Sequence, residues 1–401
     1  MMDSGYSWAR LFAALALGTI GGVGMWSVVV VLPTIEKEFG LSRSEASLSY
    51  TLAMLGFGAG GVLMGRLSDR LGVFQPLLSC IVALSLGYVA TALAVTHWQF
   101  AIAYGALIAL LGSAITFGPL IADTSLWFER RRGIAVAVCA SGNYLAGTFW
   151  PPIITHAVAA FGWRATHLGI GLFCILVMPP IALVLRRPSP TAPAPAVGSP
   201  AGTSGQPLTP PVSLPVMQGL LVVAGITCCL AMAMPQVHIV AYCAELGFGV
   251  ARGAEMLSLM LACGIISRLA SGFIADRIGG LKTLLLGSVL QAIALAFYVP
   301  FDGLMSLYIV SALFGLFQGG IVPSYALIIR EYFPAKEAGV RVGLTLTATM
   351  IGMAAGGWMS GVIFDVTKSY QAAFLNGLFW NLVNTAIVVF LLVKARRVAR
   401  A

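Results

Sequence analysis

The sequence predicts an all-α membrane protein with twelve transmembrane helices, arranged as two pseudo-symmetric bundles of six. Of its 401 residues, 59% are hydrophobic and only 9% are charged, whereas a soluble domain carries about 25% charged residues. Twelve apolar stretches are long enough to cross a bilayer, and one signature recurs once in each half of the chain. A chain of this composition needs lipid as its solvent, so the bilayer is its first expected partner.

The apolar stretches have the length that a membrane requires. A bilayer core of about 30 Å needs roughly 20 helical residues. In lipid each backbone polar group has to be satisfied within its own span, which favours helices, and the segments lack the alternation of barrel strands. The predicted spans are 10–31, 49–67, 75–95, 101–126, 133–158, 166–185, 215–242, 254–274, 281–299, 304–329, 340–363 and 373–394.

Charge predicts the orientation of the spans. An even number of spans puts both termini on one side, and placing that side in the cytoplasm leaves few cations on the other. Those few are Lys37, Arg43, Arg164, Arg252 and Lys368. This bias follows the positive-inside rule. The net charge of +9 is therefore interpreted as topology and contact with anionic lipid, and no nucleic-acid partner is expected.

One polar segment divides the chain. Residues 188–213 are rich in Pro, Ser, Gly and Ala, as in a flexible linker. Six predicted spans precede it and six follow. The predicted domains are therefore a bundle over 1–187, a cytoplasmic linker over 188–213 and a second bundle over 214–401.

The two halves carry the same signature. Gly65-Arg-Leu-Ser-Asp-Arg-Leu-Gly72 follows the second span and Gly272-Phe-Ile-Ala-Asp-Arg-Ile-Gly279 follows the eighth, 207 residues later, a separation that we call the repeat offset. A single copy is weak, but two copies at matching topological positions indicate duplicated halves. Here the chain resembles the major facilitator superfamily, and the resemblance covers nearly its whole length. It implies that Asp69, Arg70, Asp276 and Arg277 gate the cytoplasmic side, the alternative being a simple solvated turn.

Further motifs narrow the resemblance. These are Trp127–Gly133, Ser141–Gly147, Pro151-Pro152, Phe161–Arg164, Pro235–His238, Arg268 with the signature after it, Gly361–Asp365 and Tyr370. Together they resemble the branch of monocarboxylate transporters and oxalate:formate antiporters. The resemblance implies a secondary transporter for a small organic anion that works by alternating access, with the span 8 arginine holding the substrate carboxylate.

Arg268 stands out without that resemblance. It is the one Lys or Arg well inside a predicted span, where an arginine costs roughly 2.5–3.5 kcal/mol on insertion scales. Its guanidinium presents a fork that a carboxylate accepts in bidentate fashion. The alternative is snorkelling of the side chain to the cytoplasmic interface.

The chain also departs from the animal-type transporters of this branch. Trp26 stands where they carry a lysine in span 1, and Gly264 stands where they carry an aspartate in span 8. The usual proton-coupling pair is therefore missing, which leaves H⁺ symport open and without an assigned carrier. With the short loops, these differences indicate a bacterial inner-membrane protein, expected to act as a monomer.

Other polar residues inside spans are candidates for the cavity, with helix–helix contacts as the alternative. They are Asn143, Tyr144, Gln236, His238, Gln318 and Tyr325, and Trp26 joins them. His238 has the side chain suited to carry a proton, although a bond to a backbone carbonyl explains it equally well. Asp123 is expected to pair with Arg130, Arg131 or Arg132, and His156 and His167 are expected at the interface.

Competing functions receive less support. A drug or metabolite efflux antiporter of the same fold is the nearest alternative, but span 4 lacks the expected arginine and span 5 lacks a Gly-Pro-rich motif. An enzyme is not expected, because no catalytic motif or paired intramembrane carboxylates appear. The seven cysteines fall in or beside spans without metal-ligand spacing. We therefore expect no metal and no cofactor.

Overall fold

Eleven helices among the described residues are long and apolar enough to cross a membrane. They come from a computed structural model that describes residues 3–129, 131–187 and 208–398. One candidate, Gly133–Leu185, is 53 residues long. Gly162 interrupts it with φ 80° and ψ 160°, a conformation outside the helical region. Because this stretch contains two crossings, the twelve-span prediction is confirmed.

Several helices before the predicted linker start earlier or end later than the predicted spans. The first span has Ser4 as its N-cap and runs to Phe39, so the polar triplet Glu36-Lys37-Glu38 is its last turn and not a loop. The elements are α1 (Gly5–Gly21), α2 (Val23–Phe39), α3 (Arg43–Leu71), α4 (Phe74–Ala92), α5 (His97–Ala103), a π-helix (Tyr104–Gly112), a 3-10 helix (Ser113–Thr116), α6 (Gly118–Ser125), α7 (Arg132–Ala140), α8 (Gly142–Ala182) and a 3-10 turn (Leu183–Leu185).

The second half begins with α9 (Leu214–Glu245). It continues with α10 (Val250–Ile278), α11 (Gly280–Phe297), α12 (Leu304–Gln318), α13 (Ile321–Tyr332), α14 (Ala335–Thr367) and α15 (Tyr370–Val398). Most of the predicted linker, residues 188–207, lies outside the described residues. The helices form two compact units: the first takes α1 to α8 with residues 250–258, and the second takes α9 and the rest of α10 to α15.

The two halves share one register along most of their length. The helix α3 spans 43–71 and α10 spans 250–278, so the repeat offset that separates the two signatures also separates both ends of these helices. The same offset relates the fourth span of each half, His97–Ser125 and Leu304–Tyr332. The duplication inferred from one motif therefore extends to the helices themselves.

Local geometry also repeats at this offset. Gly72 (φ 75°, ψ 167°) and Gly279 (φ 83°, ψ 162°) end their helices in a backbone conformation that only glycine adopts readily. Arg164 Nη1 donates to the carbonyl of Ala92 at 2.9 Å. Gln371 stands at the position related to Arg164, and its side-chain amide donates at 3.4 Å to the carbonyl of Val299, which corresponds to Ala92.

The fourth span of each half is broken at related positions. In the first half the π-helix gives way at Gly112 to a 3-10 turn, and Phe117 (φ −119°, ψ −88°) precedes α6. In the second half α12 ends at Gln318 and α13 begins after Gly319 and Gly320. Gly319 corresponds to Gly112. Departures of this kind inside a helix commonly mark functional segments.

Candidate functional site

Arg268 lies in α10 of the second unit, beside the broken fourth span. A Cβ atom added to Gly319 would lie 2.4 Å from the carbonyl oxygen of Gly264 and 2.9 Å from Cβ of Ser267. One added to Gly320 would lie 2.2 Å from Cβ of Ser271. The break therefore packs against the turns of α10 on either side of Arg268, and only glycine fits there. The Arg268 side chain is half-buried.

Two candidate glutamines of this unit are bonded to each other. Gln236 Nε2 donates to Gln318 Oε1 at 2.8 Å, and the two residues are 5% and 0% exposed. Because the Gln318 oxygen is the acceptor, its amide N–H groups face away from Gln236. They have no hydrogen-bond partner among the residues that the structure describes. Gln318 is also the last residue of α12 before the break.

His238 is buried in α9 and bonded to the backbone. Its Nε2 lies 2.8 Å from the carbonyl oxygen of Gly357 in α14. A carbonyl only accepts, so Nε2 carries the hydrogen of the neutral ring and Nδ1 is the nitrogen that would gain a proton. The ring centroid lies 5.7 Å from that of Tyr370. The carbonyl contact expected as the structural alternative for His238 is therefore present.

Tyr325 faces the interior of the second unit. Its hydroxyl donates to Asn384 Oδ1 at 3.1 Å, and it is fully buried. The hydroxyl is thus committed to the α15 side chain. This contact matches the helix-to-helix alternative for Tyr325 rather than a cavity position.

The first unit brings Trp26 and Asn143 together. Trp26 Nε1 donates to the backbone carbonyl of Asn143 at 3.1 Å, and the ring is 6% exposed. The Asn143 side-chain oxygen is buried and has no hydrogen-bond partner in the described chain. Tyr144, the next residue, is 8% exposed. These three residues join α2 to α8, and the other five candidates lie in the second unit.

The residues of the two signatures lie at helix ends, as predicted. Asp69 and Arg70 are in the last turn of α3, Asp276 and Arg277 are in the last turn of α10, and all four are exposed. No positive partner of either aspartate is found among the described side chains. A carboxylate at the C-terminus of its own helix is unfavourable without one.

One buried ion pair of Asp123 was not predicted from the sequence. Arg10 Nε and Nη2 donate to the two Asp123 carboxylate oxygens, both at 2.8 Å, and the side chains are 1% and 5% exposed. Arg130 and the Arg132 side chain, expected as partners, lie outside the described residues. The predicted span started at Arg10, whereas α1 starts at Gly5. Arg10 is therefore inside the helix, and Arg268 is not the one arginine within a span.

Aromatic and backbone groups complete the surroundings of Arg10. Its guanidinium carbon lies 4.6 Å from the centre of the Trp127 ring, and its Nη1 donates to the Arg187 carbonyl at 3.0 Å. Tyr6 accepts a further bond from Nη1 and donates to the Val184 carbonyl at 2.6 Å. Arg10 thus joins α1 to the end of the fourth span and to the end of the sixth.

The two outer histidines differ. His156 is exposed, and its Nδ1 lies 2.7 Å from the Pro152 carbonyl oxygen. His167, also expected at the interface, is fully buried within the protein. Its Nδ1 lies 2.9 Å from Thr91 Oγ1, and the Tyr88 ring centroid is 5.2 Å from its own. The backbone turns at Gly162, before the sixth span begins. This turn could not be inferred from the position of His167 along the chain.

Among the described residues, no group of three or more His, Cys, Asp or Glu could hold a metal ion. The seven cysteines are free thiols, and Cys263 alone among them is not buried.

Comparison with known proteins identifies the family. The family model for the Major Facilitator Superfamily matches residues 14–310 and 256–401. Monocarboxylate transporter 13 of Bos taurus is 26% identical over 380 residues, covering 93% of this chain and 86% of that protein. The fujikurins efflux protein of Gibberella fujikuroi is 26% identical over 319 residues, covering 76% of this chain and 67% of that protein.

A solved structure agrees with the fold. The crystal structure of a bacterial homolog of the human lysosomal transporter Spinster, inward-facing and unoccupied, superposes with a TM-score of 0.70. It is 15% identical, and the match covers 98% of this chain and 96% of that one. With the family model matching residues from 14 to the C-terminus, this chain belongs to the major facilitator superfamily.

Proposed function

We propose that this transporter carries a small organic anion of the monocarboxylate type by alternating access, with Arg268 binding the substrate carboxylate. The observation that carries the proposal is the position of Arg268, half-buried beside the break of the fourth span. Its counterpart in the first unit, one repeat offset earlier, is Gly61, where an added Cβ would meet nothing within 4 Å. The same helix is therefore built in the first unit without a cation, so the fold does not require one here.

Gln318 extends the proposed site within the second unit. The Gln318 amide directs its N–H groups away from Gln236, and the first unit has Leu111 at the related position. We also propose Trp26, Asn143 and Tyr144 of the first unit as substrate-binding residues; within that unit they supply a largely apolar surface with one buried amide oxygen. A single cation with amide donors suits a monoanion better than a lipophilic cation.

A second function has a specific observation behind it. One relative is named as an efflux protein for fujikurins, with an identity equal to that of the monocarboxylate transporter. On this alternative the protein exports a metabolite, and Arg268 then holds an acidic group on a larger molecule.

Uptake into proteoliposomes tests the proposal and its coupling together. We expect radiolabelled small monocarboxylates to accumulate, and amides of the same acids to fail as competitors because they carry no charge for Arg268. If protons are cotransported, acidifying the outside raises uptake and a protonophore removes the rise. Uptake that does not respond to the pH gradient would reject proton symport. If no organic acid is taken up or competes for uptake, the proposal that the substrate is an organic anion is rejected.

His238 is the first residue to alter in that assay. Protonation at Nδ1 would leave its Nε2 bond to Gly357 intact, so the ring is suited to carry a proton without losing its place. His238→Ala should then flatten the response to the pH gradient while uptake remains. An unchanged response would restrict His238 to its carbonyl contact.

We further propose that Asp69 and Asp276, with Arg70 and Arg277, gate the cytoplasmic side. Since each carboxylate is exposed at the end of its own helix, a conformation that supplies a positive partner gains stability from it. Asp69→Asn and Asp276→Asn should therefore slow transport severalfold and change substrate affinity little. Asp302→Asn, an exposed carboxylate outside the signatures, is the control. Wild-type rates in both variants would reduce the signatures to turns.

The remaining proposals concern topology, membrane location, oligomeric state and domain limits. Charge bias supports cytoplasmic termini in a bacterial inner membrane, and the single chain is proposed to act as a monomer. The domain limits at 187 and 214 remain proposals, as does the linker between them.

A further inference from the structure

Among the described residues, the Asn and Gln residues that are buried as a whole all lie in the second unit, whereas Asn143 of the first unit is half-buried with a buried side-chain oxygen. Those of the second unit are Gln218, Gln236, Gln291, Gln318, Asn381 and Asn384. The related positions, one repeat offset earlier, hold Leu11, Val29, Leu84, Leu111, Cys174 and Val177. The first unit therefore forms the same helices with apolar residues at these places. Buried amides are costly in a membrane protein, so the second unit retains them for a reason other than the fold.

Three of these amides form one group that the proposed substrate site does not use, which we call the Ser288 cluster. Asn381 Nδ2 donates to the Ser288 carbonyl and Asn384 Nδ2 to the Ser288 hydroxyl, both at 2.8 Å. Gln291 lies three residues after Ser288 in α11, hence on the same helix face. Tyr325 and Cys228 complete the cluster, and all six residues are at most 1% exposed.

Two atoms of the cluster have no protein partner among the described residues. Asn381 Nδ2 faces a carbonyl, which only accepts, so the unsatisfied atom is Asn381 Oδ1. Gln291 Oε1 accepts from the Cys228 thiol at 3.9 Å, which leaves Gln291 Nε2 unsatisfied. The cluster thus offers one spare donor in α11 and one spare acceptor in α15.

We infer that the Ser288 cluster is a binding site for internal water. A cation is disfavoured by the Gln291 N–H groups, and an anion by the Asn381 oxygen. A molecule that accepts from Gln291 and donates to Asn381 satisfies both, and water is the smallest that does so. Buried waters of this kind make two to four bonds to polar groups that lack other partners.

The site would act on the broken fourth span. Tyr325 belongs to α13, the half that follows the break, and its hydroxyl is bonded to Asn384 of the cluster. A hydrated cluster therefore holds α13 against α11 and α15. This inference does not depend on which substrate is carried.

Thermal unfolding of the full-length protein distinguishes a wet cluster from a dry one. If water is bound, Gln291→Leu removes one of its partners and lowers the Tm by about 2–6 °C. Gln291→Leu/Asn381→Leu should then cost less than the two single changes added together, because both polar ends are removed. The control is Gln75→Leu, an exposed glutamine of the related helix α4. A raised or unchanged Tm for Gln291→Leu means a dry, unsatisfied amide and overturns the inference.

X-ray hydroxyl-radical footprinting of the wild-type protein needs no variant to fold. Radiolysis of a bound water oxidises the side chains beside it, and Cys228 is the reactive side chain of the cluster. Cys174 is the internal control, since it is equally buried and stands at the position related to Asn381. We expect Cys228 to be oxidised severalfold faster than Cys174. Equal protection of the two thiols overturns the water site, whatever the result of the uptake assays.

Discussion

Replacing Arg268 with alanine should weaken binding of the transported acid by roughly tenfold to a hundredfold. A hydrogen bond to a charged group contributes about 1.5–3 kcal/mol, and each 1.4 kcal/mol is a factor of ten in affinity. The loss should appear in the dissociation constant, measured by equilibrium binding of a labelled acid to purified protein. The variant should still reach the membrane, because the first unit builds the same helix with Gly61 at the related position.

Arg268→Lys separates substrate binding from snorkelling. Lysine keeps the charge but loses the planar fork, so a bidentate carboxylate contact is weakened to an intermediate degree. Snorkelling predicts the opposite, since a lysine reaches the interface as well as an arginine does. Arg252→Ala in the same helix is the control, because its ion pair with Glu255 is exposed and contributes little. Normal binding and uptake by Arg268→Ala would end the carboxylate interpretation.

Span positions and the duplication were predictable because each depends on local sequence. Apolar length alone located every crossing, although several helices, such as Arg43–Leu71 and Val250–Ile278, run past the apolar run at both ends. The first helix continues through Glu36, Lys37 and Glu38, where Arg43 pairs with Glu36 and Arg164 pairs with Glu38. The predicted spans end at residues 67 and 274, whereas the helices continue to Gly72 and Gly279, where a positive φ favours glycine.

Partnerships between distant residues could not be predicted. The sequence singled out Gln236 and Gln318 separately, but their bond joins helices 82 residues apart. Asp123 was assigned to the arginines that follow it, because proximity along the chain is the one guide to pairing that a single sequence offers. Its partner is 113 residues away. The roles of the candidate site residues remain predictions, because contacts within a unit do not identify a ligand.

The broken fourth spans show a further limit. Hydropathy predicts one continuous helix over 101–126, and nothing in the apolar run itself distinguishes a π-helix from an α-helix. A glycine pair such as Gly319-Gly320 does not predict a break either, because glycines are equally common where helices pack tightly without moving. The repeat offset reveals that Gly112 and Gly319 correspond, and that relation becomes informative only when both helices are seen to break there.

Breaking the pair between Arg10 and Asp123 should destabilise the protein more than any other single change considered. Removing one partner leaves an uncompensated buried charge, which costs about 3–5 kcal/mol. Arg10→Met and Asp123→Leu should each lower the Tm of the purified protein, and the double variant should recover much of the loss, because two apolar side chains replace two charges. The second unit has Met217 at the position related to Arg10, so methionine suits the helix there.

A matching cycle on the exposed pair of Arg252 and Glu255 gives the baseline coupling, expected near zero. Additive effects in the Arg10 cycle would show that the two side chains are not coupled, and single variants as stable as the baseline would show that the pair is solvated rather than buried.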